Sequence, residues 1–263
     1  MDRVHPVAFM THKGALRADN QDAVLIGGVI RTGDMDLPEV LEPKGYPVLL
    51  AVVDGMGGYN GGSLAARILA ETLAEETSGV FAATRMNLTE DEQTLRRVLE
   101  KAASRMCGEV RKASDLAGMG ATVAGVLLRE TSALAFNCGD CRVYRFSGGG
   151  LERVTRDHSI VQALFENGTI DEEQMRNHPK KNVVTSAVSA NEPEGFELCV
   201  KGLSRCEGDS FFLCSDGVWE TLSSQQLALF LDQPFPNVAQ ELFDALIGAQ
   251  CRDNVSFVWI PRS

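Results

Sequence analysis

The 263-residue chain is 44% apolar and 23% charged, with a formal net charge of −11. Its length suits one large domain or two small ones and allows a substantial core. The acidic balance speaks against a nucleic-acid partner, which calls for a basic surface, and against docking on anionic membranes.

The N-terminal stretch MDRVHPVAFMTHKG carries no apolar signal core. No apolar run approaches the roughly 18 residues that cross a bilayer. The cysteines at 107, 138, 141, 199, 206, 214 and 251 are odd in number and irregular in spacing. A reduced, cytoplasmic protein is the expectation. Cys138-Gly-Asp-Cys141 has the CxxC form of a redox or zinc site. There is no second CxxC, and His5, His12, His158 and His178 form no ligand pair at helical spacing. Buried strand cysteines are therefore expected instead.

In chain order, AVLIGGVI and VLLAVV are strand-like, separated by the polar, proline-bearing loop 32–47. The second run ends in VVDGMGGYNGG (52–62), a carboxylate followed by glycines. A helix pattern over 63–76 comes next, with Leu64, Ile68, Leu69 and Leu73 at helical spacing. Another runs from about 90 to 114, with Thr89-Glu-Asp-Glu92 as a capping-box start. The short β-type runs ATVAGVLL, SALAFNCG, RVYRF and LERVT follow. Their turn signals are Arg129-Glu130, Gly139-Asp140 and Ser147-Gly-Gly-Gly150, and loops this short predict antiparallel hairpins. Residues 157–193 are polar and helix-turn-helix-like, with Gly168 as a stop, in the manner of a mobile subdomain inserted between strands. FELCVKG and FFLCSDG are strand-like, helices are predicted over 216–232 and 236–249, and NVSFVWI is a last strand. There is no internal repeat or long linker. This order predicts an α+β fold with antiparallel sheets rather than βαβ winding.

One device recurs along the chain. VLLAVV delivers Asp54-Gly55, AFNC leads to Gly139-Asp140, and FFLCS ends at Asp216-Gly217. Asp253-Asn254 stands at the foot of the last strand, and Arg17-Ala-Asp-Asn-Gln-Asp22 precedes AVLIGGVI. A single Asp-Gly pair ordinarily marks a turn. Several carboxylates just beyond buried strands, meeting at one edge, form a like-charge cluster that is costly without a cation. Oxygen donors without a His or Cys pair point to a hard ion, magnesium or manganese. Two such ions about 3.5–4 Å apart activate a water for in-line attack on a phosphoryl group. Gly55 leaves its carbonyl accessible as a further ligand. Arg17 is a fork-shaped donor suited to clamp a phosphate, although an ordinary salt-bridging arginine has the same sequence signal. The glycine loop lacks the GK[ST] of a P-loop and the GxGxxG spacing of a dinucleotide site, so no nucleotide cradle is expected.

Taken together, RADNQD, VVDGMGG, GATVAGVLL, NCGDCRVYRF, TRDHSIVQALFENGTI, NHPKKNVVTSAV, LCSDGVWE and DNVSFVWI resemble the metal-dependent protein phosphatases. These are the PPM, or type-2C Ser/Thr, phosphatases, and the likeness is to bacterial members, in the right order over nearly the whole chain. The resemblance implies a single domain over 1–263 built as a four-layer α/β/β/α sandwich. Two antiparallel sheets would lie face to face, with helices outside and metals in a cleft at one edge. It implies hydrolysis of phosphoserine and phosphothreonine in proteins by a metal-activated water, with two Mn2+ or Mg2+ ions and a weaker third. Asp54 would bridge both ions and Gly55 would lend its carbonyl. Asp216 and Asp253 would complete the first site, Asp22 would hold waters around the second, and Asp140 with Asp216 would match the third. Arg17 would bind the substrate phosphate, and residues 155–190 would form the family's flap, which influences substrate choice.

Three departures from the family pattern stand out. Gln21 replaces a metal-binding glutamate of some members. Met56 and Tyr59 stand where members keep a loop histidine, so Tyr59 is a candidate substrate contact. Cys141 replaces the usual serine after Gly-Asp, and Ser189-Ala190 the usual glycine at the flap's exit. Two other functions remain open on sequence grounds: a pseudophosphatase that binds phosphoproteins, and a hydrolase of small phosphorylated metabolites. The implied partners are phosphorylated proteins, a Ser/Thr kinase or its substrates among them, acted on by a monomer.

Overall fold

Alternating apolar residues send side chains to opposite faces of each strand, and two sheets result. The computed structural model describes residues 5–80, 87–235 and 237–262, the side chains of 59, 60 and 77–80 excepted. The first sheet holds β1 (Val7–His12), β4 (Glu39–Leu41), β8 (Arg142–Ser147), β9 (Gly150–Arg153), β12 (Ser210–Cys214) and β13 (Val255–Ile260). Their spatial order is β4-β1-β13-β12-β8-β9. The second holds β2 (Asp22–Ile26), β3 (Val29–Thr32), β5 (Val48–Met56), β6 (Gly120–Leu128), β7 (Ser132–Cys138) and β11 (Cys199–Ser204). It runs β11-β7-β6-β5-β2-β3, with β10 (Val188–Ser189) paired to β6. The pairings are antiparallel throughout.

The alternation divides the core. Val24, Leu50, Val52, Ala124 and Val126 pack with Met10, Val143 and Phe257 of the first sheet. Leu25, Leu49, Ala51, Val53 and Val123 pack instead with α1 (Gly58–Val80) and α2 (Leu88–Val110) through Leu69, Leu73, Leu95 and Leu99. Helices α6 (Ser224–Leu231) and α7 (Val238–Gly248) add Leu227, Leu231, Leu242 and Leu246 to the first core. The layers are α/β/β/α, as the resemblance implies. Each such buried leucine contributes about 1.5–3 kcal/mol.

Several elements differ from the sequence expectation. AVLIGGVI is a hairpin, β2 to β3, because Gly27 (φ 54°) and Gly28 (φ 99°) both adopt the left-handed backbone of a two-residue turn. Helix α1 starts at Gly58, not at 63. It lies so close to β5 that a Cβ on Gly55 would stand 2.0 Å from the Gly62 carbonyl oxygen. The glycines thus serve backbone-to-backbone packing of helix on strand. The N-cap of α2 is Asn87, whose side chain accepts from the Glu90 N–H, so Thr89 lies inside the helix. The helix expected over 216–232 is two, α5 (Asp216–Thr221) and α6, divided where Ser223 forms a capping box with Gln226. Pro236, where the last helix was expected to begin, lies outside the described residues. The helix-turn-helix reading holds, with α3 (Ile160–Glu166) and α4 (Glu172–Asn177) around Gly168. Strands β1, β4 and β10 carry no pattern that marks them in advance.

The consequential difference is at Gly139-Asp140. This is not a hairpin turn, because β7 and β8 belong to different sheets. The chain crosses from one sheet to the other at this point and places Asp140 between them.

Candidate metal centre

Register fixes which strand ends share an edge. In the second sheet Asp22 of β2 pairs with Asp54 of β5, and Asp54 pairs with Thr122 of β6. In the first, Cys214 at the end of β12 pairs with Arg142 at the start of β8 and with Phe257 of β13. The residues just beyond these ends are Asp140, Asp216 and Asp253. All five acidic strand ends therefore come to one edge of the sandwich. They surround a cleft of about 470 Å³ lined by Arg17, Asp54, Gly55, Asp140, Asp216 and Asp253, with Gln21 and Met56 also on its wall. Asp22 sits a layer behind, 2% exposed and not on the lining. The side chain of Tyr59 lies outside the described residues.

Each carboxylate has a structural reason for its position. Asp54 occupies the last turn of the pleat before the glycines, and the Gly55 N–H donates to the Gln21 carbonyl at 3.2 Å. Asp216 opens α5, where a negative charge meets the positive end of the helix. Asp253 accepts two bonds from Arg17, from Nε at 3.0 Å and from Nη2 at 2.6 Å. The Arg17 guanidinium and one acidic strand end are thus engaged with each other. Among the described residues no three acidic, histidine or cysteine side chains converge closely enough to enclose an ion as they stand.

The electrostatics are those of like charges forced together. Burial first, then the neighbouring carboxylates, push Asp54 and Asp216 well above the usual range. Burial raises Asp22 to about 6, with Asp253 adding to it and the Ser215 and Ser256 hydroxyls opposing. Burial raises Asp140 to about 7, with Asp157 adding to it. Asp22 Oδ1 is buried without a hydrogen-bond partner. An oxygen-only donor set with an unpartnered carboxylate oxygen and excess negative charge fits a hard divalent ion.

Sequence reasoning missed the residues that hold this edge together. The Ser215 hydroxyl donates to Asp22 Oδ2 at 2.8 Å. Asn254 Oδ1 accepts from the Gln21 N–H at 2.9 Å, and its Nδ2 donates to the Lys13 and Asp19 carbonyls at 3.0 and 2.9 Å. It pins the RADNQD loop against the last strand. Lys181 pairs with Glu220 of α5, tying the segment after α4 to the helix that carries Asp216. Their only sequence signal is adjacency: Ser215 precedes Asp216-Gly217, and Asn254 follows Asp253. The CxxC pair stays structural. Cys141 lies 3.2 Å from the Thr122 hydroxyl, burial pushes the Cys138 thiol up to about 12, and all seven cysteines are free.

A model of the family described as Protein phosphatase 2C matches residues 37–253. This chain belongs to the protein phosphatase 2C family. One relative is the serine/threonine phosphatase stp of Listeria welshimeri, 29% identical over 80% of this chain and 76% of that protein. The solved structure of PppA from Pseudomonas aeruginosa, described as a key regulatory component of T6SS, is 29% identical. It covers 100% of both chains with a TM-score of 0.76. The catalytic domain of PstP, solved in complex with two manganese ions, shares the fold at 24% identity and a TM-score of 0.77 over 97% of each chain. The protein phosphatase 2C match begins after Arg17 and Asp22. For those two residues the case rests on the geometry of the edge.

Proposed function

We infer that the chain is a metal-dependent protein serine/threonine phosphatase that hydrolyses phosphoserine and phosphothreonine in proteins. The observation that carries this reading is the buried carboxylate edge around an open cleft with Arg17 at its mouth. Asp54, Asp216 and Asp253 would hold one Mn2+ or Mg2+ ion, and the Gly55 carbonyl would lend a further ligand to the centre. Asp54 and Asp22 would serve a second, and Asp140 with Asp216 a weaker third. When bound, the ions supply a water nucleophile at neutral pH and positive charge for the phosphoryl oxygens. Arg17 orients the phosphate through its two-pronged donor face, exchanging Asp253 for phosphoryl oxygens. Ser215 keeps Asp22 oriented, and Asn254 keeps the Arg17 loop seated on the strand end. Met56 on the cleft wall is a thioether with no acidic proton to give the leaving alkoxide.

The segment 155–190 supports a flap reading, since Asn182 and Val184 line the cleft. Names of the relatives make phosphorylated proteins the natural substrate class, and a Ser/Thr kinase or its targets the natural partner. The free cysteines fit a reducing cytoplasm. Among the described residues no helix is long and apolar enough to cross a membrane. The complete set of acidic strand ends disfavours a pseudophosphatase. The test is turnover of phosphoserine and phosphothreonine peptides against small phosphorylated metabolites, with manganese and with a chelator. Peptide turnover that needs the metal is expected. Equal turnover with the chelator, or turnover of metabolites alone, would overturn the assignment.

A further inference from the structure

The reaction above leaves one buried histidine without a role. His158 is 2% exposed, at the root of the flap segment. The Gly139 N–H donates to its Nδ1 at 3.0 Å, and its own backbone N–H donates to the Gly139 carbonyl at 2.8 Å. Asn137 Nδ2 donates to the same carbonyl at 3.1 Å and to the Arg156 carbonyl at 2.8 Å. Because Nδ1 accepts, the ring proton sits on Nε2, which faces Cys199 Sγ at 3.2 Å. Burial keeps this imidazole below the usual histidine range.

The other side of His158 faces the returning end of the flap. Its carbonyl accepts from the Thr185 N–H at 2.8 Å, and the neighbouring Ser159 bridges to Val184, a cleft-lining residue. Gly139 is in the left-handed region at φ 103°, and a Cβ there would stand 2.3 Å from Thr122 Cβ. The turn that presents Asp140 is therefore tight. Its next carbonyl, that of Asp140, is held from the far side by the Trp219 indole N–H at 3.0 Å.

We propose that His158 is a positioning residue that locks the Asp140 turn and the cleft-facing return of the flap into one unit. The imidazole holds the Gly139 N–H directly, and by fixing the His158 backbone it also seats the carbonyl that accepts from Thr185, so ion binding at Asp140 and grip on a phosphopeptide are coupled through this one residue. This rests on the reading of Asp140 as an ion ligand in a phosphatase. Leucine at this position would fill the volume but leave the Gly139 N–H buried and unpaired. Asparagine can place an acceptor where Nδ1 stands, whereas glutamine places its polar end nearer Nε2.

The experiment compares wild type with His158→Leu, His158→Gln and His158→Asn. Three readouts are used: calorimetric titration with manganese, steady-state kinetics on a phosphopeptide and on p-nitrophenyl phosphate, and amide exchange at Gly139 and Thr185. In the leucine and glutamine variants the weakest manganese site should lose about 10–100-fold in affinity, as for other residues that orient ligands. The phosphopeptide KM should rise more than that for p-nitrophenyl phosphate, and the Gly139 amide should exchange faster. Asparagine should restore all three. If the leucine variant does not fold, the glutamine and asparagine variants decide. A folded glutamine variant with wild-type manganese affinity and phosphopeptide KM would overturn the proposal, and so would an asparagine variant that restores nothing. Wild-type protein that neither binds manganese nor hydrolyses the peptide would sink the phosphatase reading itself, a distinguishable result.

Discussion

Two clusters of buried charge lie side by side in this fold, and they are built on opposite rules. Behind the cleft, Arg142 Nη2 meets Asp157 Oδ2 at 2.6 Å, Nε reaches both Asp157 oxygens, and Nη1 donates to the Tyr144 hydroxyl. The guanidinium also stacks 3.6 Å above the Trp219 ring. Burial pulls this arginine down, but Asp157 and Tyr144 more than offset it, so it stays firmly charged. At the cleft, burial is imposed on carboxylates among which, in the described residues, Arg17 is the one cation on the lining, and their affinity for protons rises. Where charge is structural the chain closes it on a partner. Where carboxylates meet at the cleft the chain leaves them without such closure, and a divalent ion is the natural complement.

Asp54 pairs with Asp22 in register and lines the cleft together with Asp140 and Asp216, so the largest effect is expected there. Asp54→Asn should lower manganese-dependent phosphopeptide turnover by at least about 10²–10³-fold. Steady-state rates check this, with the melting temperature unchanged or raised because a repelled charge is gone. A variant that keeps wild-type turnover removes Asp54 from the centre.

The paired cluster should behave in the reverse sense. Arg142→Met leaves buried Asp157 with only the longer contact to Arg153 Nη1 at 3.4 Å and should cost about 3–5 kcal/mol, read by urea denaturation. Arg142→Met combined with Asp157→Leu should cost clearly less than the sum of the two single changes. Additive losses would mean that the pair does not act as one unit.

A smaller effect separates the clusters by pH. Asp22 and Asp140 have folded-state values raised to about 6 and about 7 from 3.8. The folded form therefore binds more protons than the unfolded form over that window. Their contribution to stability is full below the unfolded value and is lost as pH rises through about 6 to 7. In a chelator, Asp140→Asn should gain on wild type between pH 5 and pH 8, on the scale of 1.36 kcal/mol per pKa unit. Manganese should erase most of the gain by stabilising wild type at the higher pH. Parallel pH profiles for the two proteins would contradict the like-charge account.

Much of this was legible in the sequence, for physical reasons. Strands such as ATVAGVLL and FFLCS announce themselves because period-two patterning and β-branched residues serve a buried sheet. The acidic strand ends were legible because an Asp directly after an apolar run is unusual when repeated. What the sequence hid was how distant segments meet. Gly139-Asp140 looks like a hairpin turn, and only the sheet order shows that it crosses between layers. Gly27-Gly28 sits inside an apolar run, so its turn was masked. Ser215, Asn254 and His158 act through hydrogen bonds to remote backbone or side chains, and no local pattern encodes such a partner. Gly58 to Gly62 argue against a helix by propensity, yet α1 includes them because packing on β5 overrides it.

The central claim is that the carboxylate edge exists to hold divalent ions. Calorimetric titration of manganese into the intact protein tests it most directly, with Asp54→Asn alongside. The account predicts saturable binding of at least two ions to wild type, and loss of that binding in the variant with the fold retained. Wild-type protein that takes up no manganese, or a variant that binds it undiminished, would contradict the account.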